Sequence, residues 1–205
     1  LNGVEYTTAV GHGALSAVTS GVNNSVFGTQ AGTAITTGAY NVAIGTQAML
    51  THTTGRNNIA IGSGVMDDTN AGSNSLDSDH NVFIGVDSGG GTWADAKSEF
   101  NVAVGNYTLN GALNGAAYNT VIGYQAGYSM TSGDYNTFVG GFAGQNLTTG
   151  GNNVAIGVNS LLSHTTGNHN IAIGNNAMTD TNAGSTSLGS EHNIFIGSTA
   201  GGGTW

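Results

Sequence analysis

The sequence has no proline and no cysteine, only two basic residues, and 6% charged residues over a length of 205. Each shortage excludes something. Without cysteine there is neither a disulfide framework nor a thiolate metal site, and cysteine usage gives no clue to the compartment. Without proline, every residue keeps the N–H that a stacked β-architecture needs at nearly every strand position. Arg56 and Lys97 stand against eleven acids, for a formal net charge of −9. No basic stripe is left to meet a phosphate backbone, so nucleic acid is not an expected partner. No apolar run approaches twenty residues and no basic leader precedes an apolar segment, so neither membrane insertion nor a signal peptide is expected in this segment. Low charge combined with 38% apolar residues also argues against disorder, and for a chain that can bury a core.

What is present is repetition. A phrase of the type Asn-x-Val-Ala-Ile-Gly ends at Gly11, Gly28, Gly45, Gly62, Gly85, Gly105, Gly123, Gly140, Gly157, Gly174 and Gly197. The steps between these glycines run 17, 17, 17, 23, 20, 18, 17, 17, 17 and 23, so the short repeat sits inside a longer one of 112 residues. Tyr6 answers to Tyr118, His80 to His192 and Trp93 to Trp205. Units this short cannot each enclose a core and gain stability only by stacking on neighbours. The expected fold is all-β, a parallel β-solenoid of about eleven rungs with a strand pair or so per rung. The whole of 1–205 is read as one continuous solenoid, with 6–93 matching 118–205 and 94–117 linking rungs. The first long repeat would continue beyond Trp205 into the equivalents of Ala94, Asp95 and Ala96, so a longer fibre with further copies is expected. The 36 glycines, rich in company of Asn, Thr and Ser, suit turns and do not suit a helical or α/β enzyme.

Within each rung the residue just before the glycine is large and apolar, as in Ile44, Ile61 and Ile156, and the residue three before it is often Val or Ile, as in Val42 and Ile59. Alternation along a strand puts these two on one face. They are expected to fill the interior. The opposite face is apolar too, at Ala43, Ala60, Phe83, Phe138, Ala155, Ala172 and Phe195, and is flanked by Asn41, Asn58, Asn81, Asn136, Asn153, Asn170 and Asn193. A strand apolar on both faces is covered on both, so this second set is expected to line the axis of an assembly of identical chains, its asparagines stacked as a hydrogen-bonded ladder. The glycine seven before the rung glycine, as in Gly21, Gly38, Gly55, Gly133, Gly150 and Gly167, reads as a corner with positive φ. The small residue three after the rung glycine, as in Ala31 and Ala48, reads as the start of a second short strand.

The phrases Asn41 to Gly45, Asn58 to Gly62, Asn153 to Gly157 and Asn170 to Gly174 resemble the head repeats of trimeric autotransporter adhesins (YadA-like). Asn119 to Gly127 and Asn136 to Gly144 are similar to shaft repeats of phage tail-fibre-like and bacterial surface fibre proteins. The resemblance runs over essentially the whole chain. It implies a left-handed parallel β-roll, three copies packed around a common axis with the Asn-containing strand innermost, and an extracellular setting on a bacterial cell surface or a virion fibre. Here the rungs are longer than the compact head repeat, and no heptad stalk, neck or membrane anchor is present.

Candidate chemistry concentrates in the two long rungs. Asp68, Asp79 and His80 recur as Asp180, Glu191 and His192, and clustered carboxylates, amides and carbonyls can bind calcium. The spacing lacks the Asp-x-Asp-x-Asp-Gly pattern of a calcium loop, so solvated turns are the expected reading, with no cofactor, and calcium is the alternative. His52 and His164 sit in equivalent Thr-rich turns and read as turn or capping residues. Trp93 and Trp205 end equivalent Gly-Gly-Gly-Thr-Trp segments, where wedging between outer loops is favoured over stacking on sugars. No serine nucleophile or carboxylate pair stands outside the repeats, so no catalytic residue is expected. The functional expectation is the structural shaft of a homotrimeric fibre carrying an adhesive or receptor-binding tip. The alternative is an adhesion module whose outer loops bind a glycan or cell-surface receptor.

Overall fold

The computed structural model describes residues 5–69, 77–179 and 190–203. It is a β-solenoid with one three-residue strand per rung: β1 Thr8–Val10, β2 Ser25–Phe27, β3 Val42–Ile44, β4 Ile59–Ile61, β5 Val82–Ile84, β6 Val102–Val104, β7 Thr120–Ile122, β8 Thr137–Val139, β9 Val154–Ile156, β10 Ile171–Ile173 and β11 Ile194–Ile196. All eleven form one parallel sheet in chain order. The register is that of the repeat: Val42 pairs with Ile59, Ala43 with Ala60 and Ile44 with Ile61. Across the two 23-residue steps the strands are still direct neighbours, β4 pairing with β5 and β10 with β11. The expected second strand is absent among the described residues. The stretch after each rung glycine is a chain of turns, and its alanines, Ala31, Ala48, Ala126, Ala143 and Ala177, are buried.

The largest correction concerns which strand face is inside. Ala43, Ala60, Phe83, Phe138, Ala155 and Ala172 are completely buried within the single chain, as are Asn41, Asn58, Asn81, Asn153 and Asn170, with Asn136 at 1% exposure. Asn193 and Phe195, on the terminal rung, are partly buried. None of these can line an axis between chains. Conversely, Ile44 and Ile156, expected inside, are 38% and 39% exposed.

The reason is volume. The strand residue two before the rung glycine faces, across a narrow coil, the residue four after that glycine, and their sizes compensate in every rung. Alanine at the first position meets Leu or Met at the second: Ala9 with Leu15, Ala43 with Met49, Ala60 with Met66, Ala103 with Leu109, Ala155 with Leu161, Ala172 with Met178. Valine or phenylalanine meets glycine: Val26 with Gly32, Phe83 with Gly89, Val121 with Gly127, Phe138 with Gly144, Phe195 with Gly201. A Cβ on Gly144 would lie 2.5 Å from the Phe138 ring, and one on Gly89 2.8 Å from Phe83. Close-packed interiors demand such matching.

The asparagine ladder does exist, inside the coil. Asn41 donates its amide to Asn24 Oδ1 at 3.2 Å and to the Gly55 carbonyl at 2.8 Å, and its backbone N–H also reaches Asn24 Oδ1 at 3.0 Å. The pattern recurs upward through Asn58, Asn81, Asn101, Asn119, Asn136, Asn153 and Asn170. Each side chain thus satisfies backbone groups that burial would otherwise strand. The ladder also explains the glycine seven before the rung glycine. Gly21, Gly38, Gly133 and Gly150 do not have positive φ. They lack a side chain because the next rung's carbonyl, held by the ladder amide, would lie 2.3 Å from a Cβ on Gly21 and 2.4 Å from one on Gly133. The rung glycine is the one that needs both freedoms: Gly45 has φ 132°, and its Cβ would sit 2.1 Å from the Gly62 carbonyl oxygen.

Candidate functional site

With the small residues and asparagines turned inward, four outward columns run along the solenoid on one face: the residues five, three and one before the rung glycine, and the residue one after it. Of the seventeen large apolar side chains exposed among the described residues, sixteen lie in these columns, and Tyr128 is the exception. Tyr6, Tyr40, Phe100, Tyr118 and Tyr135 occupy one rim, Val86, Tyr124 and Val158 the other, and Val10, Phe27, Ile44, Val102, Ile122, Ile156, Ile194 and Ile196 the centre. None of the columns contains Asp, Glu, Lys or Arg.

The rim residues five before the glycine all have left-handed backbone, with φ between 53° at Tyr6 and 60° at His192, and this conformation aims their side chains out at the corner. Rings in consecutive rungs therefore stack. His80 lies on Phe100 (centroids 4.9 Å apart), Phe100 on Tyr118 (4.9 Å) and Tyr118 on Tyr135 (5.0 Å, planes 1° apart). His169 and His192 make the same stack at 4.8 Å.

The long-rung residues suggested for calcium are engaged separately. Asp68 accepts a hydrogen bond from the Thr92 hydroxyl, and Asp79 from the Arg56 backbone N–H. His80 Nε2 contacts the Asn57 amide at 3.2 Å, and Glu191 accepts from the Asn168 amide at 2.7 Å. Asp180 lies outside the described residues. Among the described residues no three His, Asp or Glu side chains gather as a metal-binding group. One carboxyl in this region is perturbed: Asp67 is raised to about 6, chiefly by burial, with the charges of Asp87 and Asp68 adding to it.

His52, His164 and Trp93 were not recognisable as core residues from their turn-like surroundings. His52 is fully buried in the column that Ile35 and Leu147 occupy in other rungs. Its Nδ1 bonds the Thr69 hydroxyl at 3.2 Å while Nε2 faces the Asn58 amide at 3.2 Å. Burial lowers its pKa to about 4, and lowers that of His164, which donates from Nε2 to the Ser190 carbonyl at 2.9 Å. Trp93 is likewise buried, its indole N–H donating to the Gly89 carbonyl at 2.9 Å and its ring tilted on Phe83 at 5.7 Å. It is thus neither a wedge between outer loops nor a sugar platform; Trp205 lies outside the described residues. The signal available in the sequence was the period itself: His52 is seven residues after a rung glycine, in register with Val18 and Ile35.

Comparison with protein-family models, with curated proteins and with solved structures found no match to this chain.

Proposed function

We propose that this chain is a structural segment, the shaft of an extracellular homotrimeric fibre on a bacterial surface or a virion, and that it assembles through its uncharged outer face. The observation that carries the reading is the concentration of exposed apolar side chains on that single face. Eleven rungs at the interstrand spacing of about 4.8 Å make a strip roughly 53 Å long. Four columns spaced by two strand residues, about 6.7 Å each, make it roughly 20 Å wide. An area on the order of 1,000 Å² matches the roughly 800 Å² per partner of a stable interface, and apolar residues fill 26 of its 44 positions. The strip has no charge to desolvate, and its periodicity matches that of another copy of the same chain. The number three comes from the resemblance of the repeats to trimeric adhesin heads. A long shaft of near-identical rungs suits projection of a tip, and the absence of any repeat-independent nucleophile supports a non-enzymatic role.

The test separates assembly from folding. Native mass spectrometry of the wild type should report three copies. Ile61→Asp with Ile173→Asp, on the outer face, should yield a smaller species that keeps its β circular dichroism. Ala60→Asp with Ala172→Asp, inside the coil, should abolish that signal. A soluble wild-type monomer at micromolar concentration refutes the assembly and with it the shaft.

A further inference from the structure

Both cations of the chain lie in one surface groove. Thr37, Thr54, Asp77 and Lys97 stand in a column eight residues before four successive rung glycines, and Arg56 and Asp79 stand six before two of them. Together they line a cleft of about 300 Å³, just around the corner from the ring ladder. That volume is at the lower end of small-molecule sites, about 300–1,000 Å³. Thr37, Arg56, Asp77 and Lys97 are exposed, and Thr54 and Asp79 are half-buried. Lys97 Nζ is 4.0 Å from Asp77 Oδ2, with the two side chains 44% and 52% exposed. Pairs this exposed are held weakly, so the ammonium is free to turn to a ligand. The Thr54 hydroxyl and the Arg56 backbone N–H hold the Asp77 and Asp79 carboxylates in place.

The groove residues are also among the positions at which the two copies of the 112-residue repeat differ. The second copy keeps Thr149 and Thr166 but places Asn168 where the first has Arg56, and Gly189 where it has Asp77. Shaft packing therefore does not demand these residues, since the same rung is built without them.

We infer that this groove binds a saccharide that carries a carboxylate. Arg56 offers a planar donor fork that fits a carboxylate through paired hydrogen bonds, and Lys97 adds a second positive charge. Asp77 and Asp79 accept from sugar hydroxyls, and Thr37 and Thr54 both donate and accept. The four charges cancel, so the groove attracts through local pairing. No aromatic face lines it, so recognition is polar and salt-sensitive. This site goes beyond the shaft function and does not rest on it.

Saturation-transfer NMR and calorimetry on the intact assembly test it with four probes: sialyllactose, a hyaluronan tetrasaccharide, neutral lactose and a triglutamate peptide. One or both acidic saccharides should bind, lactose and the peptide should not, and the stronger arm tells terminal sialic acid from uronic acid. Arg56→Asn with Asp77→Gly, which imports the second copy's residues, should weaken binding at least about tenfold, the value of a lost charge-assisted pair, while leaving mass and circular dichroism unchanged. Failure of both acidic saccharides to bind overturns the inference, as does equal binding of lactose or the peptide, or undiminished binding by the variant. A monomer that binds sialyllactose would refute the shaft and keep the groove.

Discussion

Size compensation across the coil makes a demanding prediction. Phe138→Ala empties the middle of its rung, a change that costs about 3–5 kcal/mol in a packed core. Gly144→Leu alone overfills the same space, because its Cβ would lie 2.5 Å from the Phe138 ring; overpacking of that kind costs about 1–3 kcal/mol. Acting independently, the two would cost roughly 4–8 kcal/mol together, enough to unfold a marginal protein. The double variant Phe138→Ala/Gly144→Leu should instead fall within about 3 kcal/mol of the wild type, because it recreates the arrangement of the neighbouring rung, where Ala155 packs with Leu161 at φ 54°. The residual loss is the cost of a left-handed non-glycine residue, on the order of 1–3 kcal/mol. Urea titration at fixed protein concentration gives all three values, fixed because the proposed assembly would make apparent stability concentration-dependent. If the two losses add, the face assignment and the packing argument built on it are wrong.

Three further outcomes follow from the same interior. Asn153→Ala removes the acceptor of the Asn170 N–H (2.9 Å) and the donor to the Gly167 carbonyl (2.9 Å); two stranded buried groups cost about 2–6 kcal/mol, and a loss under about 1 kcal/mol in chemical denaturation would contradict an internal ladder. Gly45→Ala, at φ 132° and 2.1 Å from the Gly62 carbonyl oxygen, should destabilise by on the order of 3 kcal/mol or more, whereas Gly141→Ala, whose nearest atom is 4.0 Å away, should melt within a few degrees of the wild type. His52, lowered to about 4 by burial, takes up its proton more readily unfolded than folded. Its contribution is therefore whole above about pH 6.5, is lost as pH falls through 6.5 towards 4, and reaches about 3 kcal/mol. Melting temperatures from pH 7.5 to 4.5 should fall in the wild type and fall less in His52→Leu; parallel curves would remove the histidine from the explanation.

The eleven stacked strands and their parallel register follow from the spacing of the glycines, because a solenoid translates period directly into stacking. The facing of the strand does not follow from alternation alone. Period two says that Val42 and Ile44 share a face and that Asn41 and Ala43 share the other, but both faces are apolar enough to be buried. Size decides. A coil closed by turns within 17 residues has room for Ala43 with Met49, or Phe138 with Gly144, and none for two branched side chains from the same strand as well. The decisive clue was present in the sequence as a correlation between positions six residues apart, outside the strand. His52 and Trp93 were hidden for a related reason: threonine- and glycine-rich neighbours signal a turn, and in a solenoid the turns themselves enclose the core.

Repetition changes what counts as a signal of function. In most chains a threonine or an arginine in a turn carries no information, because nothing states what the fold alone would require at that place. Here the other rungs state it. The glycines, the ladder asparagines and the compensated pair recur because the packing of the rungs uses them, and on the proposed assembly the outer apolar columns would recur because a neighbouring copy would meet every rung alike. Arg56 and Asp77 recur in neither sense. They are replaced by Asn168 and Gly189 in the second copy of the long repeat, and they meet Lys97 and Asp79 across one cleft. A residue that the scaffold does not need and the outer apolar face does not contain is free to serve recognition, and the two basic residues of the chain, Arg56 and Lys97, meet at that groove.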